Sequence, residues 1–292
     1  MAGFYCEYPG RAVIALSGED RVTFLQALIS NDIADLVPGA ARWAALLTPQ
    51  GKYLCDFFVV DGGERLLLDV EAGRAEDLVQ RLRRFKLRAK IALELLAEAR
   101  VWLGWGEAAA SLGLPAPGAG RLVDGGVVFA DPRLPILGVR LIATASEAAG
   151  LFAAAGFSPT DFAAWDRLRL EAGVPEGTRD LVPEQSILLE AGFDELHGVS
   201  WTKGCYIGQE LTARTKYRAL IKKRLMPVRI AGPAPPFGAI IEQDGKEAGE
   251  MRSSQGDVGL ALLRLEALSN AEGDLGVAGS TLTAVPPGWL KT

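Results

Sequence analysis

Histidine and cysteine are almost missing from this chain of 292 residues, which holds one His and three Cys. With His197 alone, a histidine-rich metal site is excluded, and zinc would have to rely on scattered cysteines and carboxylates, so no resident metal is expected. Cys6, Cys55 and Cys205 are odd in number and far apart. They form neither a CxxC pair nor a disulfide framework, and a reducing compartment fits them best. No uncharged apolar run is long enough to cross a bilayer, and MAGFYCEYPGRAVIALSGED lacks a basic start, an apolar core and a small-residue cleavage site. A cytoplasmic protein with no membrane partner is the default expectation. Nor is there an excess of positive charge: 31 Lys+Arg against 36 Asp+Glu give −5, which argues against a protein whose task is to coat nucleic acid.

What is present is ordinary in bulk, 49% hydrophobic and 23% charged, in a length that suits two or three compact units. Arg11 to Leu16 reads as a strand. Ser17, with Asp20 in a capping-box spacing, precedes a helical pattern of Val22, Phe24, Leu25 and Leu28. Arg42 to Thr48 and Tyr53 to Val60 read as strands joined by Pro49-Gln50-Gly51-Lys52, a hairpin signal. A strand from Arg65 to Val70 and a helix from about Arg74 to Arg84, burying Leu78, Val79 and Leu82, complete an α+β pattern with antiparallel pairing. The basic RRFKLRAK, Arg83 to Lys90, reads as a solvated helix end leading into a strand. Leu112 to Gly120 reads as a surface loop or a subdomain joint, and strand-like segments surround Val127 and Val139. Asp161 to Gly173 is a helix ending in glycine, and Asp180 to Glu195 is acidic and irregular. After Leu225 the texture becomes short β runs, Met226 to Ile230, Ala239 to Gln243 and Val258 to Leu263. They predict a small all-β domain over 223–292 behind a first region over 1–222.

The chemistry concentrates in SWTKGCYIGQELTAR, Ser200 to Arg214. Gly204 permits a tight turn, and QELTAR starts a helix in which Glu210 can pair with Arg214. A thiol just ahead of a helix, two residues from Lys203, is favoured as thiolate. On spacing alone, a lone cysteine is more often a small buried hydrophobe. A cysteine hydrolase would need His197 beside Cys205.

KGCYIGQE, Lys203 to Glu210, followed by Arg214, resembles the signature K-G-C-[FY]-x-G-Q-E-x-x-x-R of the YgfZ/IBA57 family, which is related to the T-protein of the glycine cleavage system. RVTFLQALISNDI, LLTPQGKYLCDFFV, DRLRLEAGVPE and AGEMRSSQGDVGLALL extend the resemblance over nearly the whole chain. The resemblance implies two ferredoxin-like halves, an aminomethyltransferase-like region, and a C-terminal β-barrel. It implies tetrahydrofolate or a derivative as ligand, with Glu171 matching the glutamate that bonds the pterin ring and Asp56, Gln209 and Arg214 as further binding residues. It also implies transient iron–sulfur client or assembly proteins as partners, with Cys205 and Lys203 carrying the chemistry. The thiolate could hold iron or a cluster, form a mixed disulfide, or attack a one-carbon group. The alternative function is a folate-dependent aminomethyltransferase or demethylase. Against it, Cys55 stands in GKYLCDFF where those enzymes carry the first of two acids.

Overall fold

The computed structural model describes residues 2–218, 220–269 and 274–290. Two compact units emerge, neither continuous in sequence. The first comprises the chain through Leu47, Cys55–Trp165 and His197–Ile207, and the second comprises Thr48–Leu54, Asp166–Leu196 and the chain from Gly208.

In chain order the elements begin with β1 (Gly3–Glu7), β2 (Arg11–Ser17), α1 (Arg21–Gln26), β3 (Ala41–Leu47), β4 (Tyr53–Asp61), β5 (Arg65–Glu71) and α2 (Ala72–Phe85). They continue with β6 (Ala92–Leu95), β7 (Arg100–Gly106), β8 (Gly120–Val123), β9 (Gly126–Ala130), β10 (Val139–Ala143), α3 (Ala145–Ala154), β11 (Ser158–Pro159) and α4 (Phe162–Glu171). The remainder is α5 (Gln209–Tyr217), β12 (Lys223–Ala231), β13 (Ile240–Gln243), β14 (Lys246–Gln255), β15 (Val258–Arg264), α6 (Leu265–Ser269), β16 (Leu275–Val277) and β17 (Ser280–Ala284).

The first unit is built on two mostly antiparallel sheets, ordered β11-β1-β7-β10-β9-β8 and β3-β4-β5-β2-β6. Strand β4, YLCDFFVVD, is buried along both faces except at its last residue, which explains a near-continuous apolar run where a half-exposed strand would alternate. Gly51 (φ 69) makes the hairpin turn before it, closed by Thr48 N–H to Lys52 O at 2.8 Å. Helix α2 packs Ala75, Leu78 and Leu82 inward, a three-to-four residue spacing, while Val79 is only half-buried. The capping box expected at Ser17 does not form: Ser17 ends β2, and the Asp20 carboxylate accepts the Lys90 N–H at 2.7 Å instead.

In the second unit β12-β15-β14-β13-β16-β17 closes into a barrel, a closure that leaves no free sheet edge. Its core is Met226, Val228, Ile230, Ile241, Met251, Leu263 and Leu282 with their neighbours. Strands β14, β16 and β17 were not legible in advance, because KEAGEMRSSQ is mostly polar and β16 has three residues. Among the described residues no helix is long and apolar enough to cross a membrane.

Candidate functional site

The segment after α1 turns through Ser30-Asn31-Asp32, and the side chains of Ser30 and Asn31 are buried because each holds a backbone group. Ser30 Oγ donates to Gly198 O at 2.7 Å and accepts the Ala45 N–H at 2.9 Å. Asn31 Nδ2 donates to Trp43 O and to His197 O, both at 2.7 Å. Onto this strap comes Lys203 of KGC. Its Nζ donates to the carbonyls of Gln26 (2.7 Å), Ile29 (2.8 Å) and Asn31 (2.6 Å), so all three ammonium protons are used. The side chain is buried, 5.4 Å from the Tyr206 ring centroid. Burial pulls its pKa down to about 8 and the Asp32 charge opposes this, so it remains an ammonium at neutral pH. As placed, Lys203 directs its charge at the strap and pins residues 197–203 to it.

Cys205 is exposed, in an irregular stretch that precedes α5 by four residues. The glycine that needs conformational freedom here is Gly208 (φ 81), the residue just before α5. Gly204 is not in the left-handed region and would accommodate a β-carbon without contact. Cys6 and Cys55 are buried, and burial, followed by a neighbouring aspartate in each case, pushes both thiols up to about 12. Among the described residues no hydrogen bond joins His197, which is exposed with φ 60, to Cys205. In the native protein iodoacetamide is therefore expected to modify Cys205 at least ~100-fold faster than Cys6 or Cys55, because reaction requires an accessible thiolate. Mass spectrometry of timed digests checks this, and comparable rates at all three would contradict the burial.

Asp56 is buried and accepts Trp43 Nε1–H at 2.8 Å. Trp43 O in turn accepts Asn31 Nδ2, so a continuous chain of bonds joins Asp56 to the carbonyl strap under Lys203. The other expected ligands lie in the second unit. Glu171, at the end of α4, is ion-paired with Arg167 at 3.1 Å and Arg229 at 3.3 Å on the surface. Gln209 opens α5, and Arg214 pairs with Glu210 at 3.0 Å, the four-residue spacing expected from the sequence. Glu171 and Arg214 thus have separate partners.

Reading the sequence did not find the densest cluster of charge. Arg11 and Arg140 share Asp69 at 2.6 and 2.9 Å, and Arg140 and Arg133 share Asp131 at 3.0 and 2.8 Å, every one of these side chains essentially inaccessible. The Phe58 ring lies 3.9 Å from the Arg140 guanidinium carbon. The signal was present as single charges inside apolar strands, Asp69 in RLLLDVE and Arg140 in VRLIA. A second such cluster, in the second unit, joins Arg169 to Asp166 at 2.7 Å, to Asp180, and to Ser253 of β14 at 2.6 Å.

Residues 222–292 match the family model of the CAF17 C-terminal beta-barrel domain. The mitochondrial iron-sulfur cluster assembly factor IBA57 of Mus musculus is 33% identical, over 97% of this chain and 84% of that protein. Its Homo sapiens counterpart is 34% identical over the same shares. In structure, the glycine cleavage system aminomethyltransferase T of Bartonella henselae superposes with a TM-score of 0.78 at 18% identity, covering 99% of this chain and 86% of the other. That likeness establishes the fold. The cytoplasmic location expected from the sequence is corrected: these relatives are named as mitochondrial proteins.

Proposed function

The chain belongs to the IBA57 family of iron–sulfur cluster assembly factors, and from that premise we propose that it is an accessory factor in the assembly or repair of iron–sulfur proteins, acting through Cys205. The observation that supports this is the contrast among its thiols: one is exposed in the KGC segment, and two are buried with their pKa values raised to about 12. Lys203 is the positioning residue, holding the segment on the carbonyl strap. Among the described residues no three His, Cys, Asp or Glu side chains are grouped to hold a metal, so any iron or cluster that met Cys205 would take its remaining ligands from a second molecule. Client iron–sulfur or assembly proteins are accordingly transient partners. The test is deletion of the gene with assay of several iron–sulfur enzymes, rescued by the wild-type chain and by Cys205→Ala. Rescue by both would remove the thiol from the mechanism.

Tetrahydrofolate is proposed as ligand from the fold. The individual carboxylates fit it less readily: Glu171 is held by two arginines and Asp56 by Trp43, so both would have to exchange partners. Tetrahydrofolate is expected to bind saturably, and Glu171→Ala to weaken it about tenfold or more if that carboxylate takes the pterin edge. Titration calorimetry checks both. Unchanged affinity in a folded Glu171→Ala protein would move the pterin contact elsewhere, and absence of saturable binding would remove folate.

A further inference from the structure

Neither Cys205 chemistry nor folate binding involves the basic segment RRFKLRAK, Arg83 to Lys90. Arg83, Arg84, Lys86 and Arg88 are all exposed, and among the described residues none of the four enters an ion pair or donates a side-chain hydrogen bond; Lys90 alone pairs, with Glu19. Arg83 and Arg84 stand in the last turn of α2, where they offset the helix dipole. Lys86 and Arg88 lie beyond it. Between these cations two large apolar side chains face solvent, Phe85 at 45% exposure and Leu87 at 90%, and Leu87 holds φ 41, a left-handed conformation that a branched side chain rarely adopts. A merely solvated helix end requires neither feature.

The chain then enters β6, which terminates its sheet. It pairs with β2 on one side only, Ser17 opposite Ala92 through Ile14 opposite Leu95. Because Leu96 N–H bonds Val13 O, the alternation of an antiparallel ladder turns the backbone groups of Ala92 and Glu94 toward β2 and those of Leu93 and Leu95 outward. The side chains of Leu93 and Leu95 share one face and, with Ala75, Glu76, Val79 and Gln80 of α2, line a groove of about 300 Å³ that Arg83 also borders. An open ladder edge, a groove with an apolar floor beside it and four cations without an ion-pair partner among the described residues therefore coincide in one place, on a chain whose net charge is −5.

We infer that this edge is a docking site for an extended segment of a partner protein with an acidic end, which adds antiparallel to β6 as a further strand, sets alternate apolar side chains into the α2 groove and lays the carboxylates beyond Ala92 against residues 83–88. Strand addition takes affinity from main-chain bonds and specificity from pockets for alternate side chains. A second copy of this chain is disfavoured as occupant, because its own β6, ALEL, carries a single carboxylate and that side chain stands on the face away from the groove. The inference stands independently of Cys205 and of folate.

The full chain is titrated with a fluorescein-labelled peptide Val-Ser-Leu-Ser-Val-Glu-Glu-Glu, with the same peptide carrying Lys for Glu, and with one carrying Pro for Leu. The acidic peptide is expected to bind saturably, and Lys86→Glu/Arg88→Glu to weaken it about tenfold or more, as does Val79→Asp in the groove. Amide exchange at Leu93 and Leu95 slows on binding, while Ala92 and Glu94, already bonded to β2, change little. Thermal melts confirm that the variants are folded. Absence of saturable binding, unchanged exchange at Leu93 and Leu95, or equal binding of the proline peptide overturns the proposal. So does co-sedimentation with phosphatidylserine vesicles that the acidic peptide fails to displace, or dimerisation lost in the same variants.

Discussion

Replacing Asp131 by alanine is expected to cost about 3–5 kcal/mol of folding stability, the loss typical of breaking a buried ion pair from one side. Asp131 accepts from Arg133 at 2.8 and 3.0 Å and from Arg140 at 3.0 Å, and the three side chains are fully buried against Phe58 and Trp43. Without the carboxylate, Arg133 would lose its ion pair and Arg140 would keep only Asp69, already shared with Arg11, in an apolar interior. Urea unfolding measures the loss, and a change below ~1 kcal/mol would mean that the cluster relaxes or hydrates at little cost. The same site governs acid sensitivity. Burial pushes the Asp131 carboxyl up, but Arg133 and Arg140 beside it outweigh this and hold it below the ordinary carboxyl value. Asp166 behaves likewise, under Arg179 and Arg169. Carboxyls of this kind take up protons less readily folded than unfolded, so the stability they contribute is present above about pH 4, the unfolded value, and is lost as pH falls through the lower folded one. Asp131→Asn should therefore be less stable at pH 7 and lose less of its remaining stability on acidification, which unfolding curves between pH 7 and 3 would show.

Lys203→Met is expected to cost about 3 kcal/mol or more, because the carbonyls of Gln26, Ile29 and Asn31 would be left without a donor and an unmet buried acceptor costs roughly 1–3 kcal/mol. Arginine should not rescue it, since a planar fork does not match three acceptors converging on one nitrogen. Hydrogen exchange gives a reading beyond global stability. The Ser200 N–H to Ser30 O bond, at 3.0 Å, belongs to the same strap and should exchange faster in the variant while the barrel amides stay protected. Unchanged exchange at Ser200 would show that Ser30 and Asn31 hold the segment without the lysine.

Much of the fold was legible because periodicity and turn chemistry are local. The β3–β4 hairpin follows from two apolar runs around Pro-Gln-Gly-Lys, α2 from its three-to-four spacing, and the Glu210–Arg214 pair from a four-residue interval. Where local signals compete, the reading failed. Ser17 and Asp20 have the spacing of a capping box, yet Ser17 is held in the ladder opposite Arg65 and Asp20 is taken by Lys90, 70 residues away. Gly204 and Gly208 look alike as letters, and only the backbone shows that Gly208 occupies the left-handed region.

The site divides in the same way. The sequence by itself determined the identity of the KGCYIGQE segment, the small number of its thiols and the β-rich tail, since these depend on residue type and near neighbours. Only the tertiary structure decided what the charges do. Lys203 reads as a cation beside a thiol and proves to be an ammonium saturated by carbonyls 172 to 177 residues earlier in the chain. Asp69 and Arg140 read as isolated interruptions of apolar strands and prove to be partners across 71 residues. The physical reason is common to both: a charge can be buried only when opposite charge or hydrogen-bonding groups surround it, and those groups come from strands and turns that folding alone brings together.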